Sequence, residues 1–358
     1  MHMIHTGKFS EKKILLVDKD PKRANDRTWC FWQKQDGLFE DIVCKRWEKL
    51  WFHGAEFSKE LQISPYQYKM IRGIDFYEHC LSSIGQQSNF DILFGNVEKV
   101  FSEQRTGVVV NGQTIYADYI FNSILFEKPF INKNEYWLLQ HFKGWLIETN
   151  ETIFDEAIAT LMDFRIDQKH GSEFCYVLPL NSRQALVEYT VFSSELLQQN
   201  QYDDMLEFYI NSFLKIPSYK ILEREFGVIP MTSHKFPSHH NHIIHIGTAG
   251  GQTKGSSGYT FNFIQKHSKA IVSSLIATSK PFAEQPSRRF SFYDSVLLQI
   301  LKKETLPATQ IFTDLFRNNA VEKVFKFLDN ETSLAEDLKI ISSLPTVPFL
   351  KAGIQQMI

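Results

Sequence analysis

The chain has 358 residues, a formal net charge of −2 and no block of Lys or Arg, so it lacks the electrostatic footprint of a nucleic-acid binder. Hydrophobic residues make up 43% of it, which excludes a disordered chain, and no run reaches the roughly eighteen uninterrupted apolar residues of a spanning helix. Aromatics reach 14%, with 31 Phe, a bias that suits a Phe-rich core or a large apolar pocket. Cys30, Cys44, Cys80 and Cys175 are scattered without a Cys-x-x-Cys pair, and no secretory pattern precedes them, so they read as reduced cytosolic thiols.

In chain order, residues 2–7 read as the last turn of a helix, with Gly7 as its C-terminal cap. Residues 14–18, Ile-Leu-Leu-Val-Asp, are the continuous apolar run of a parallel strand covered on both faces. It ends in Asp18, where a dinucleotide-binding fold holds its ribose. The Gly-x-Gly-x-x-Gly turn of such a fold lies about twenty residues before that acid, a distance that runs past Met1. The expectation is a nucleotide-binding unit incomplete at its N-terminus, with Met1 or Met3 internal to a longer chain. Residues 66–77 lead into a helix through Cys80 and Leu81. Strands are predicted at 92–94 with Val97, at 108–110 and at 117–123, with Asn111-Gly112 as a hairpin turn.

From about residue 135 the pattern changes. Strands at 143–148, 160–164, 174–180 and 185–190 predict a mostly antiparallel sheet with one buried face. Glu188 sits on the last of them, and Glu148 on the first. Each either points to solvent or, if its face is buried, becomes a desolvated acid with a raised pKa. A helix follows, with Met205, Leu206, Tyr209, Ile210, Phe213 and Leu214 on one face and Pro217 as its stop.

The next unit is a strand at 242–247, a glycine-rich turn over 247–258 and a helix from Tyr259 to Ile276. Backbone N–H groups and a helix N-terminus gathered in this way make an anion site, unless the turn is a flexible surface loop. The phosphate-loop spacing Gly-Lys-Ser/Thr is absent, as is Gly-x-Ser-x-Gly. His234, His239, His240, His242 and His245 lack the spacing of metal ligands, so no metal is expected. The tail is helical over 291–302, 308–318 and 320–328.

Several segments together resemble the lycopene beta-cyclase family of carotenoid-making flavoproteins. They are 14–20, Asn25 to Trp32, Tyr66 to Tyr77, Phe174 to Leu180, Gly227 to Thr232, Ile246 to Phe263, Phe312 to Phe316 and Phe327 to Ser333. The resemblance implies an α/β fold: a Rossmann-like FAD-binding domain (1–130 and 225–285), an inserted antiparallel β-sheet substrate domain (131–224) and a helical C-terminal region (286–358). It implies FAD in reduced form, with NAD(P)H as reductant, and the ring closure of lycopene to beta-ionone ends without net redox change. Related implied readings are an FAD-dependent isoprenoid monooxygenase or reductase, and a carotenoid-binding form without activity.

Plant members carry Phe-Leu-Glu-Glu-Thr where this chain has Leu186-Val187-Glu188-Tyr189-Thr190, which puts the acid role on Glu188. By position in the related fold, Asp18, Arg72, Gly247, Gly250, Gly251, Gly258 and Tyr259 would contact the cofactor. The usual Asp of the glycine-rich segment is replaced by Thr248 or Ala249. An insoluble carotenoid substrate implies a cytoplasmic protein peripheral to the inner face of the membrane.

Overall fold

Alternation along four neighbouring strands decides the architecture. In the computed structural model, which describes residues 1–282 and 287–357, the largest sheet has seven strands. Their spatial order is Lys220–Thr232, Trp137–Glu148, Gln184–Ser193, Ser172–Pro179, Ile158–Asp163, Lys49–Gly54 and Phe57–Gln62. All neighbours are antiparallel except Ile158–Asp163 and Lys49–Gly54, which run parallel. The expected antiparallel sheet is present, but it draws in two strands from residues 49–62, and its edge strand runs across the 224/225 boundary.

The sheet is covered on both faces, not on one as its alternation predicts. Val187, Tyr189 and Val191 pack with Trp145, Ile147, Cys175 and Val177 under the helix Gln199–Ser212, through Tyr202, Leu206, Tyr209 and Ile210. Leu186 and Phe192 project from the opposite face, with Phe174, Tyr176 and Leu178, against Phe312, Leu315 and Phe316 of the helix Ala308–Asn318. Period-two alternation therefore separates two cores instead of a core and a solvated face. The strand Ser172–Pro179 is buried at every position as a result.

The remaining strands are short. Ile14–Asp18 pairs in parallel with Phe90–Phe94 as a two-stranded sheet. Among the described residues it has that one strand neighbour, so Leu15 and Leu16 remain 41% and 40% exposed instead of being covered on both faces. Ile120–Asn122 pairs in parallel with Ile243–His245. Asn111 and Gly112 both take positive φ, 47° and 76°, in the hairpin joining Thr106–Val110 to Gln113–Tyr116, as a two-residue turn of this hand requires. Gly7, at φ 65°, caps the short helix His2–Thr6.

The glycine-rich segment forms a tight turn at Gly247–Gly250, and the helix Phe261–Thr278 follows. The tail contains helices Arg288–Lys302, Ala308–Asn318, Val321–Leu328, Leu334–Ser342 and Thr346–Met357. The expected domain boundary at 285/286 lies outside the described residues. No helix among the described residues is long and apolar enough to cross a membrane.

Candidate active site

The cavity-side face of the large sheet meets the strand Thr28–Gln33 and the turn 257–260 around a cavity of about 380 Å³. That size falls in the range of about 300–1,000 Å³ usual for small-molecule sites. Its walls include Trp29, Phe142, Tyr176, Tyr259 and Phe261. The excess of aromatics is thus divided between two cores and one pocket.

Glu188 lines this cavity. It projects from the same face as Leu186 and Phe192, and its remaining exposure is toward the cavity. Thr190 Oγ1 donates to Glu188 Oε1 at 2.9 Å. Burial, and behind it the neighbouring Glu225, push its carboxyl well above the usual carboxylate range. Of the two orientations open from sequence, Glu188 takes the one toward the cavity, where it is partly buried.

Glu225 is the group that sequence reading missed. It lies on the edge strand, 8% exposed, in register with Gly144, which is in turn in register with Glu188. A Cβ at Gly144 would stand 2.9 Å from Glu225 Cγ and 3.1 Å from Oε1, so the Glu225 side chain crosses the space that glycine leaves free and reaches the Glu188 carboxyl. Thr28 Oγ1 donates to Glu225 Oε2 at 2.8 Å. Oε1 is buried and accepts from no protein donor among the described residues. Two like charges in one buried site repel, and burial disfavours the charged form of each. The pair therefore holds a proton instead of ionising twice. No motif marks Glu225; only the register of three strands brings it to Glu188.

Tyr189, the neighbour of Glu188 in sequence, points to the other core, where it is fully buried and its hydroxyl donates to Glu173. Glu148 ends its strand accepting from Gln184 Nε2 at 2.6 Å.

Of the expected cofactor contacts, Gly258 and Tyr259 line the cavity with Thr248, Ser257 and Thr260. Gly258 has φ 72°, and a Cβ there would stand 1.9 Å from Gln140 Oε1, so only glycine fits. Gly247 and Gly251 take positive φ, 57° and 71°, while Gly250 packs so close to the His245 carbonyl that a Cβ would stand 2.3 Å from it. These three shape the turn without lining the cavity. Asp18 lies at the end of its strand, paired with Lys22 at 3.3 Å. Arg72 holds Asp75 through two hydrogen bonds of 2.7 Å at the start of the helix Gly73–Gly85 and lines a second, smaller cavity beside Glu225. The arginine that lines the larger cavity is Arg27, paired with Asp26 at 2.7 Å. Among the described residues no three His, Cys, Asp or Glu side chains could hold a metal ion.

The glycine-rich turn is fastened from behind. Lys254, almost fully buried, pairs with Asp294 at 2.6 Å and donates to Asn330 Oδ1 at 2.8 Å. Ser256 donates to the same Asp294 at 2.6 Å. The turn is a braced segment, not a flexible loop.

The family described as "Lycopene cyclase protein" matches residues 6–353. The chain belongs to the lycopene cyclase family. Among the curated proteins none matches it in sequence. Its fold is similar to that of a geranylgeranyl bacteriochlorophyll reductase-like protein from Thermoplasma acidophilum, with a TM-score of 0.60 at 11% identity, over 100% of this chain and 96% of that one. A flavin-dependent halogenase from Xanthomonas campestris superposes with a TM-score of 0.60 at 9% identity, over 99% and 92%. A flavin-dependent brominase gives 0.60 at 9%, over 94% and 93%. The α/β fold with a helical C-terminal region expected from the sequence is therefore the fold of this lycopene cyclase family member.

Proposed function

We propose that the protein is a lycopene beta-cyclase that closes the acyclic ends of lycopene, or of a related carotenoid, into beta-ionone rings. The observation that carries the reading is a carboxyl, Glu188, at the wall of an aromatic cavity, whose pKa burial and the neighbouring Glu225 push up. The Glu188 O–H proton goes to C2 of the end group, leaving a tertiary cation at C1. The C5–C6 double bond attacks C1, and loss of the C6 proton restores a double bond between C5 and C6. Aromatic faces stabilise the passing cation, and an apolar wall keeps out the water that would trap it as an alcohol. Phe142 and Tyr176 stand on the same sheet as Glu188 and serve both purposes.

FAD is part of the proposal, in reduced form with NAD(P)H as reductant. Trp29 Nε1, Gln140 Oε1 and Ser257 Oγ, from residues lining the cavity, are buried without a protein partner, which fits a ring system with both donors and acceptors at its edge. Gln140, Ser257 and the backbone of 257–260 would hold it there, with Thr248 in place of the usual Asp, and Asp18 would hold the ribose. Bound flavin would supply an electron-rich polar ring; the proton at C2 comes from Glu188. Contact with the cytoplasmic face of the membrane, where the carotenoid resides, completes the reading.

The test is incubation with lycopene, FAD and NADPH, followed by mass and absorption analysis of the product. A ring-bearing isomer of unchanged mass supports the cyclase. An oxygenated or reduced product would instead make the protein a flavin-dependent isoprenoid monooxygenase or reductase.

A further inference from the structure

The second, smaller cavity is lined by Glu225 and not by Glu188. It measures about 20 Å³ and is lined by Asn25, Thr28, Arg72, Glu223 and Glu225, with Leu186 forming a wall shared with the larger cavity. A space of that size with several polar walls is sufficient for one water. Asn25 Nδ2 donates to Glu223 Oε2 at 2.7 Å at its exposed rim. A line of proton-carrying groups thus runs from solvent to the smaller cavity, to the Glu225 carboxyl and over Gly144 to Glu188, apart from the aromatic wall of the larger cavity.

We propose that Glu225 is a proton relay to Glu188: it exchanges the proton of the acid with solvent through the smaller cavity, so that no water need enter the larger one. The inference rests on the cyclase reading and adds a residue that acts through Glu188 without touching substrate. The balance is closed. Glu188 loses its O–H proton to C2, the C6–H bond later breaks, its electron pair becomes the C5–C6 double bond, and that proton returns to the carboxylate pair. Glu225 then exchanges it for a solvent proton before the next end group arrives. Tyr68, Cys30, Tyr176 and Tyr259 face Glu188, and burial pushes all four above their ordinary values, so none competes for the proton at neutral pH. Arg72, Glu223 and Arg224 are the charged residues that line the smaller cavity with Glu225, and Asp26, on the larger cavity, also acts on its charge.

The test is turnover in D₂O with the position of the label read in the product. The wild-type protein is expected to place deuterium at C2 of every ring. Glu225→Gln should label only the first ring formed per protein molecule, because Glu188 is afterwards reloaded with the C6 proton, so its C2 label falls in inverse proportion to turnover number. Its activity should also be lost at lower pH than that of the wild type, a shift that a uniformly weakened fold would not cause. Gly144→Ala, which keeps both carboxyls but drives a methyl group against the Glu225 stem, should behave the same way. Full labelling in Glu225→Gln, or none in the wild type, overturns the relay.

A second readout separates this result from the cyclase reading. The infrared band of the protonated carboxyl should be absent in Glu188→Gln. On transfer to D₂O it should shift quickly in the wild type and slowly in Glu225→Gln. If no ring product forms at all, the cyclase reading fails, and equal exchange rates would then overturn the relay as well.

Discussion

Glu188 and Glu225 stand two strands apart and meet over Gly144, the residue in register with both. A methyl group at that position would press on Glu225 from 2.9 Å. Two carboxyls in one buried site stabilise the protonated form of the pair, and a protonated carboxyl is what a cation-forming reaction needs. The chemistry of the site thus depends on a side chain that is absent.

Cyclisation is expected to fall as pH rises. Glu188 acts in its acid form, and its carboxyl is held well above the ordinary range, first by burial and then by Glu225. Rate against pH should stay level past the ordinary carboxylate range and drop only at higher pH. A rate that instead rises with pH up to an ordinary carboxylate value would show an ionised Glu188 at work.

Tyr189→Phe is expected to cost stability and leave product formation intact. Its hydroxyl donates to the buried Glu173 in the core under the helix Gln199–Ser212, and stripping a buried acceptor of its donor costs about 1–3 kcal/mol. Chemical denaturation and product analysis, run side by side, check both halves. Loss of activity in a protein of unchanged stability would contradict the orientation of this strand.

Lys254→Met should destabilise the protein by about 3–5 kcal/mol, because it leaves Asp294 charged and unpaired. Combining it with Asp294→Leu should recover part of that loss. The double mutant measured against both singles decides whether the pair braces the glycine-rich turn.

Asp329 offers a separate titration. Buried beneath Trp32, whose Nε1 donates to it at 3.0 Å, it is pushed up from 3.8 to about 6, chiefly by desolvation. The folded protein binds this proton more tightly than the unfolded chain does. The contribution is therefore complete below about pH 4 and is lost as pH rises to about 6, for a change of about 3 kcal/mol. The stability difference between wild type and Asp329→Asn should change by that amount between those pH values, as urea denaturation would show.

Much of the fold is legible in the sequence, because its signals are local. The Asn111-Gly112 turn, Gly7 as a helix cap and the apolar face of the helix from Gln199 to Ser212 each follow from a few adjacent residues. Alternation also places Glu188 and Tyr189 on opposite faces, but it does not say which face lacks solvent, and here neither is solvated. Glu225 was beyond reach for a different reason. Its partner is 37 residues away, and what joins them is strand order and register together with the missing side chain of Gly144. Arg27 was similarly hidden, since its place at the cavity depends on how the strand Thr28–Gln33 meets the large sheet.

The most direct test of the account is Glu188→Gln beside the wild-type chain in a lycopene-accumulating bacterium, with both proteins recovered folded and in equal amount. The account predicts ring-bearing carotenoid from the wild type and unchanged lycopene from Glu188→Gln. Ring formation by Glu188→Gln at the wild-type rate, or none by the wild type, would contradict it.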